Sequence, residues 1–409
     1  MRPFTVAALL LALLAGPSAA LTNPFSNLFN KVVTTPHDQV ALPGVPTTVE
    51  AKFERDLGLG YANPDLTGKE VEFFYGGASI GKATTNGDGV ARRAWTTPAG
   101  VTGVLRIQYK MTSSSYRNSA GSLRVFVSAP RPTFVFDIDL TLSDLPEWQV
   151  PISGQDAPAF PYAPEFVNHV SGAGFGVIYM TARDDALDVR TRAFLRNQGF
   201  PDGAIFYNDL GLRTAEERAM LSSSNHGKYK TRKLRELYAA GIPIVAGVGN
   251  TPTDAEAYRA VGMESYILNP SDPIPAGSVI FNNYRQLDAM LMTAAKRADF
   301  QRQATAGQQT LTFWQHDLGA NELSILVDGV KLSPVVVAGS PGWVRAKFFR
   351  LAKRGSKLTF QGEGPANDFA YAGNVDIVDG AGAKVHDGPN SWALLQTAKG
   401  QSSTVTVGP

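Results

Sequence analysis

Apolar and polar residues alternate in short runs at both ends of the chain. From residue 34 to residue 130 these runs lie between turn signals rich in Gly, Asn and Asp, which predicts an antiparallel β-sandwich. From residue 308 to residue 409 a similar pattern returns, and Asp328-Gly329 between two apolar runs predicts a hairpin turn. A helix is predicted just before it, from Tyr284 to Gln303. The two ends are therefore predicted to be β-rich domains.

Between these ends, from residue 131 to residue 300, the apolar runs are continuous rather than alternating. Such runs are typical of parallel strands that are buried on both faces in an α/β domain. Three of them stop at polar residues: Thr133–Phe136, Val177–Met180 and Ile244–Val248. Chemistry in open α/β sheets gathers beyond the carboxyl ends of the strands. The pattern predicts a Rossmann-like central domain with its functional residues at these three strand ends.

The composition of the chain is consistent with this domain organisation and limits the possible partners and sources of stability. The length of 409 residues and the hydrophobic content of 44% allow two or three domains, each with its own core. The formal net charge of +2 gives no sign of a nucleic-acid partner. Because the chain has no cysteine, its stability must come from packed cores rather than from disulfides.

Residues 1–20 have the composition of a secretory signal peptide. A basic start is followed by the apolar segment Val6–Ala15 and by small residues up to Ala20, after which cleavage is expected. The apolar segment is too short for a transmembrane helix, and no later run approaches about twenty apolar residues. We therefore expect an exported protein, periplasmic, at the cell surface or extracellular, and the style of the segment favours a bacterial source.

Two carboxylates one residue apart follow the first buried strand. Asp137 and Asp139 repel each other unless a cation shares their charge, and a divalent ion with oxygen ligands, usually Mg²⁺, meets that need. Asp254 lies at a loop-to-helix junction after the third strand, where it can complete a metal site. The alternative is a turn rich in Asp, and the Asp-x-Asp pair alone does not separate the two readings.

The second strand ends in Thr181-Ala182-Arg183, and a hydroxyl at a strand end can donate a hydrogen bond to a phosphoryl oxygen. Thr181 could also be a plain strand-end residue. Arg183 could instead pair with Asp184 or Asp185 on the surface. Both readings stay open at the level of the sequence.

A basic helix that begins near His226 carries Lys228 and Lys230, and a lysine there can neutralise both a phosphate and a carboxylate. Lys230 is preferred because it shares one helical face with Leu234, and Lys228 stays an alternative. A solvated basic helix would be the better reading without the carboxylates described above. Asn250 can orient a metal ion or its waters, although Asn after Gly is also frequent in turns.

The order of these signals is Asp-x-Asp-x-Thr, a strand-end Thr, a Lys, and Gly-Asn-x-x-x-Asp. In this order they resemble the motif series of the haloacid dehalogenase (HAD) superfamily over roughly residues 131 to 295. Tyr179–Arg183, Tyr229-Lys230 and Gly249–Asp254 are most similar to the lipin-type phosphatidate phosphatases and the related domain of the Nir phosphatidylinositol-transfer proteins. Leu140 departs from the family, whose members usually carry Gly or another small residue there.

The resemblance implies a role for each matching residue. Asp137 would attack phosphorus to form an aspartyl-phosphate, and Asp139 would protonate the leaving alcohol and then activate water. Lys230 would neutralise charge. Mg²⁺ would be held by Asp137, the main-chain carbonyl of Asp139, and Asp254. Contacts to the phosphate and substrate are implied for Thr141, Thr181, Ala182, Arg183 and Asn250.

The spacing of the motifs leaves no room for a large cap domain. Residues 140–180 and 184–227 hold only loops, helices and one short strand-like run, so a minimal cap and an open site are expected. An open site suits a bulky or surface-embedded phosphate ester, which makes phosphatidate or a related phospholipid the expected substrate. A phosphatase of water-soluble phosphomonoesters is the alternative within the same chemistry.

Both flanking regions resemble known accessory modules. The N-terminal sandwich is similar to bacterial immunoglobulin-like (Ig-like) modules, and the C-terminal region resembles jelly-roll modules that bind carbohydrate. A basic stretch around Trp343 could touch an anionic membrane, although a solvated sheet face is preferred. A function of another class is also open, in which the chain is a phospholipid- or surface-binding adhesion protein with an inactive HAD domain.

Overall fold

The computed structural model describes most of the chain. The described parts are residues 30–57, 63–145, 157–208, 223–275 and 277–306, and nine strands between residues 309 and 406. The predicted signal peptide, residues 1–20, lies outside the described residues.

The N-terminal region consists of two sheets that share one hydrophobic core. One sheet has the strand order β1-β3-β6 and the other β2-β8-β7-β4-β5. In β7 the side chains alternate between exposed and buried, so that Ile107, Tyr109 and Met111 enter the core beside Phe53 and Phe73. The strands are β1 (Val32–His37), β2 (Gln39–Ala41), β3 (Pro46–Arg55), β4 (Glu70–Tyr75), β5 (Ala78–Thr84), β6 (Val90–Thr96), β7 (Gly103–Met111) and β8 (Ala120–Val127).

All strand pairs in these two sheets are antiparallel except β2 with β8, which is parallel. The predicted β-rich character of this region is confirmed. The Ig-like layout and the domain boundaries stay predictions.

The central region has one six-stranded parallel sheet with the order β11-β10-β9-β12-β13-β14. Every residue of β9, β10 and β12 is buried, as the continuous apolar runs predicted. The strands are β9 (Thr133–Phe136), β10 (Gly176–Asp184), β11 (Ala204–Asn208), β12 (Ile244–Gly249), β13 (Glu264–Leu268) and β14 (Val279–Phe281).

Helices cover both faces of this sheet, which confirms the α/β prediction. Phe134 and Phe136 pack into a core on one face, whereas Val135 between them packs into a core on the other. The helices are α1 (Ala163–Gly172), α2 (Asp188–Asn197), α3 (Ser223–Ala239), α4 (Pro252–Arg259), α5 (Tyr284–Leu291) and α6 (Ala294–Ala306).

The prediction of one helix from Tyr284 to Gln303 is wrong. Helix α5 ends at Leu291 and α6 begins at Ala294. The hydroxyl of Thr293 accepts a hydrogen bond from the Lys296 backbone N–H at 3.2 Å, which satisfies a free donor at the start of the second helix. This side-chain bond stabilises the start of α6 as a separate helix.

The N-terminal sheets pack directly on the central domain. Val40, Leu42 and Phe126 of the sandwich lie against the core formed by α3 and α4. Asp38 is buried between the two parts and accepts hydrogen bonds from Arg124 of β8 and Arg192 of α2. A cleft of about 660 Å³ opens between β3, β6 and α3 at this junction.

A second group of charges joins the sandwich to Asp185, which follows β10. Asp185 lies 3.0 Å from His37 Nε2 and 3.4 Å from Lys52 Nζ. Burial raises the pKa of Asp185, but Lys52 and His37 outweigh it, so the net shift is downward. The carboxylate therefore stays ionised, and the segment after β10 is held by the N-terminal sandwich.

The C-terminal strands form two antiparallel sheets, β18-β15-β20-β21 with β22 beside β20, and β17-β16-β19-β23. Val327 at the end of β16 pairs with Val330 at the start of β17, as the predicted hairpin requires. The turn residues 328 and 329 lie outside the described residues. The strands are β15 (Gln309–His316), β16 (Glu322–Val327), β17 (Val330–Leu332), β18 (Gly342–Phe348), β19 (Lys357–Glu363), β20 (Phe369–Val378), β21 (Lys384–Gly388), β22 (Ala393–Gln396) and β23 (Ser402–Thr406).

The C-terminal region is thus β-rich as predicted, and its jelly-roll-like layout stays a prediction. Trp343 lies in β18, and much of the basic stretch after it is outside the described residues. The same holds for residues 146–156 and 209–222, where a cap would be inserted, so the minimal cap also stays a prediction. In the described part of the chain, no helix is long and apolar enough to span a membrane.

Candidate active site

Three neighbouring strands bring their carboxyl ends together at one edge of the central sheet. Strand β9 pairs with β10 on one side and with β12 on the other. The chain continues from β9 to β10 and β11 and then crosses back to β12, so the strand order reverses between β9 and β12. Ligands bind at such a switch point in open α/β sheets. The Asp137 N–H donates to the Val248 carbonyl at 2.9 Å, which fixes the first residue after β9 against β12. The carboxyl ends of β9, β10 and β12 therefore lie side by side, as the sequence predicted.

Lys230 joins two of the predicted carboxylates. Its Nζ lies 2.6 Å from Asp137 Oδ1 and 2.5 Å from Asp254 Oδ1, and the residue is only 4% exposed. Lys228, the alternative, is exposed on α3, whereas Leu234 is buried as the shared helical face required. The structure thus selects Lys230 as the lysine at the carboxylates.

The second carboxylate oxygen of Asp254 accepts hydrogen bonds from residues at the N-terminus of α4, the helix that contains Asp254. Oδ2 accepts the backbone N–H groups of Asn250 and Thr251, both at 3.1 Å, and the Thr251 hydroxyl at 2.7 Å. Thr251 in turn caps α4 through the Asp254 N–H, which completes a capping box. Gly249 leaves room for this turn, because an added Cβ would lie 2.6 Å from the Asp254 side chain. Both oxygens of Asp254 are therefore occupied by donors.

Thr181 and Arg183 contact Asp139 rather than an open phosphate site. The Thr181 hydroxyl donates to Asp139 Oδ2 at 3.0 Å, and Arg183 Nη2 donates to Oδ1 at 2.8 Å. Arg183 is fully buried, so the expected alternative of a surface pair with Asp184 or Asp185 is wrong.

Strand β10 also extends further than predicted. It runs to Asp184, so Thr181, Ala182 and Arg183 lie inside the strand, beyond the last paired residue of β9. Successive side chains of a strand point to opposite faces, which puts Thr181 and Arg183 on the same side and Ala182 on the other. Ala182 is 8% exposed.

Thr141 ties the first loop to the third. Its hydroxyl lies 3.0 Å from Asp137 Oδ2 and 3.2 Å from the Asn250 amide oxygen, and its carbonyl accepts the Tyr284 hydroxyl at 2.8 Å. Leu140 precedes it with a positive φ of 52° and is 40% exposed. A left-handed conformation costs a leucine about 1–2 kcal/mol, so Leu140 holds a backbone conformation that glycine adopts more readily.

The charges of the site do not balance within the protein. If the three carboxyl groups of Asp137, Asp139 and Asp254 were all ionised, they would exceed the two cations Lys230 and Arg183 by one negative charge. Burial raises the pKa of Asp137 to about 7, with Asp254 and Asp139 adding to the effect and Lys230 opposing it. Burial also disfavours the charged form of Lys230, but the carboxylates of Asp137 and Asp254 have the larger effect and raise the pKa of Lys230. This site favours a further cation.

The donors present fit Mg²⁺. Asp137 offers a carboxylate, Asp139 a main-chain carbonyl and Asn250 an amide oxygen, and hard oxygen ligands of this kind are those that Mg²⁺ prefers. Among the residues that the structure describes, no three His, Cys, Asp or Glu side chains form a metal cluster. The side-chain oxygens of Asp137, Asp254 and Asn250 all accept bonds from protein donors, so the ligand set of Asp137, Asp139 and Asp254 stays a prediction.

Residues 134–268 match the sequence model described as PITM 1-3, LNS2 domain. The central domain is of the LNS2 type. The predicted resemblance to the lipin/Nir-type domain is thereby confirmed for these residues. No curated protein matches the chain.

Solved structures of phosphatases are also similar to the chain. One is D,D-heptose 1,7-bisphosphate phosphatase from B. bronchiseptica complexed with magnesium and phosphate, with a TM-score of 0.30 and 15% identity over 39% of this chain and 98% of that one. Another is a class C acid phosphatase from Bacillus anthracis with tungstate bound, with a TM-score of 0.24 and 21% identity over 31% and 54%.

Sequence reasoning missed one residue of this LNS2-type site. Thr191 on α2 is fully buried and accepts a hydrogen bond from Arg183 Nη1 at 3.1 Å. A polar residue at an inward position of a helix was the available signal, but nothing in the sequence identified its partner. The assigned roles of the other site residues stay predictions.

Proposed function

We propose that the chain is an exported, Mg²⁺-dependent phosphomonoesterase that acts through an aspartyl-phosphate on Asp137. The observation that carries this proposal is the Lys230 ammonium group between the buried carboxylates of Asp137 and Asp254. An anionic nucleophile approaches an anionic phosphate only when positive charge screens both, and this lysine supplies part of that charge.

Mg²⁺ would be held by the Asp137 carboxylate, the Asp139 main-chain carbonyl and the Asp254 carboxylate, with Asn250 orienting the ion or its waters. When bound, the ion supplies positive charge that stabilises the phosphoryl oxygens. Asp137 attacks phosphorus while Asp139 donates a proton to the leaving alcohol oxygen. Asp139, now ionised, then takes a proton from the water that attacks the aspartyl-phosphate, which releases phosphate and restores Asp137.

Phosphatidate or a related phospholipid is the proposed substrate. Support comes from the LNS2 match and from Leu140, whose exposed apolar side chain stands between Asp139 and Thr141. An apolar group beside the nucleophile suits a substrate with apolar chains better than a small polar metabolite. Peripheral contact with a membrane surface belongs to the same proposal, as do export and a location in the periplasm, at the cell surface or outside the cell.

The test is phosphate release by the mature protein with Mg²⁺ or with chelator, from phosphatidate in mixed micelles and from p-nitrophenyl phosphate. We expect metal-dependent release that favours phosphatidate and disappears in Asp137→Asn. Release from the soluble ester alone would keep the mechanism and reject the lipid. Binding of phosphatidate micelles without release from either ester would favour the adhesion protein with an inactive HAD domain.

A further inference from the structure

The nitrogens of the Arg183 guanidinium all contact protein groups. An arginine that binds phosphate would keep some of its N–H groups free for the ligand. Its Nε lies 3.0 Å from both oxygens of Asp139, and its Nη2 lies 2.8 Å from Asp139 Oδ1. Nη1 donates to the Thr191 hydroxyl at 3.1 Å. The residue has no exposed surface, so its guanidinium is not available to a phosphate entering from solvent in this arrangement.

Asp139 is held as firmly as Arg183. Its side chain is 17% exposed, and both oxygens accept bonds, Oδ1 from Arg183 and Oδ2 from Arg183 and Thr181. The planar guanidinium fixes both the position and the plane of a carboxylate, which an ammonium group does not. Thr191 in turn fixes the guanidinium from α2, outside the reacting centre.

We infer that Arg183 is a positioning residue, anchored by Thr191, which holds the Asp139 carboxyl group in the orientation needed for proton transfer at the leaving oxygen. This inference rests on the proposed phosphatase reaction and changes the role of Arg183 from phosphate binding to control of the acid and base. In the first step the bond from phosphorus to the leaving oxygen breaks, and the Asp139 proton moves to that oxygen. In the second step the Asp139 carboxylate receives a proton from water.

The leaving group reveals whether Arg183 acts through Asp139. An alkyl alcohol leaves only with a proton, whereas p-nitrophenolate leaves without one. A misplaced acid therefore lowers kcat/KM for alkyl esters far more than for the aryl ester, because kcat/KM reports the steps up to cleavage of the ester. A lost phosphate contact would lower both values by the same factor and would weaken inhibition by inorganic phosphate.

The experiment compares full-length Arg183→Lys, Arg183→Met and Thr191→Val with the wild-type protein. The alkyl ester is phosphatidate in mixed micelles, or glycerol 3-phosphate if the lipid is not hydrolysed. We expect the alkyl-to-aryl ratio of kcat/KM to fall by at least about tenfold in Arg183→Met, since general acid catalysis contributes roughly 10²–10⁴-fold. The ratio should fall less in Arg183→Lys. It should also fall in Thr191→Val, although Thr191 touches neither Asp139 nor substrate.

Arg192→Lys is the matched control, because Arg192 lies beside Thr191 on α2 and contacts Asp38 and Asp188 instead of Asp139. Its ratio should match that of the wild type even where its stability falls. An unchanged ratio in both Arg183→Lys and Thr191→Val, measured on folded protein, would overturn the inference. Equal losses for both esters with weaker phosphate inhibition would restore Arg183 as a phosphate ligand. No release of phosphate from either ester by the wild-type protein would reject the proposed function itself.

Discussion

Asp38 offers a direct test of how firmly the N-terminal sandwich is joined to the central domain. The residue is 1% exposed and accepts hydrogen bonds from both Arg124 and Arg192 and from the Ile205 backbone N–H. These donors come from β8, α2 and β11, so one carboxylate links the two parts. The substitution Asp38→Asn keeps the size and shape of the side chain, removes its charge and replaces one acceptor oxygen by an NH₂ donor.

The expected loss follows from these contacts. Removing one partner of a buried ion pair costs about 3–5 kcal/mol, because the remaining charge is left without compensation. Arg124 and Arg192 keep 18% and 23% of their side-chain surface exposed, so water relieves part of the penalty and the lower end of the range applies. A loss of about 3 kcal/mol corresponds to a decrease in Tm of roughly 6–12 °C, at about 2–4 °C per kcal/mol.

Asp202→Asn is the matched control. Asp202 contacts the same Arg124 at 2.6 Å, but its side chain is 63% exposed. Exposed pairs contribute only about 0–1 kcal/mol, so the control should change Tm by a few degrees at most. Urea denaturation gives the free energy of unfolding of each variant, and calorimetry gives Tm. Equal losses in the two variants, or a loss below about 1 kcal/mol in Asp38→Asn, would refute the buried link.

The other predictions concern pH, charge and space. Burial lowers the pKa of His37, but Asp185 and Glu50 outweigh burial and raise the pKa from 6.5 to about 9. The stabilising effect of protonated His37 is therefore complete below about pH 6.5 and is lost as pH rises through 9. Tm measured from pH 6 to 10 should therefore fall less in His37→Gln than in the wild type. Lys230→Met should reduce kcat for phosphate release at least about 100-fold with the protein still folded. Gly249→Ala should cost about 1–3 kcal/mol in urea denaturation by displacing Asp254, whereas Gly172→Ala, with nothing within 4 Å, should not destabilise.

The positions of the motif residues could be predicted because each follows a local pattern. Continuous apolar runs identified β9, β10 and β12, and the rule for parallel sheets placed Asp137, Thr181 and Asn250 at one edge. The helical period placed Lys230 and Leu234 on one buried face and left Lys228 exposed. None of these predictions required knowledge of contacts between residues that are distant in the sequence.

The partner of Arg183 could not be predicted in the same way. In the sequence, Asp184 and Asp185 follow it closely and Asp139 is distant, so a pair with Asp184 or Asp185 stayed open as an alternative and the pair with Asp139 was not considered. The alternation of a strand would have helped, since Thr181 and Arg183 share the face on which Asp139 lies. That argument requires the strand to continue to Asp184, and the apolar pattern ends at Met180.

The N-terminal sandwich also holds the segment that follows β10 in the central domain. His37 and Lys52 hold Asp185 at the end of β10, and Asp38 holds Arg192 on α2. The segment between these two anchored points contains Thr191 and begins two residues after Arg183, the pair that controls the Asp139 carboxyl group. Through Asp185 and Arg192 the sandwich therefore fixes both ends of the segment that carries Thr191.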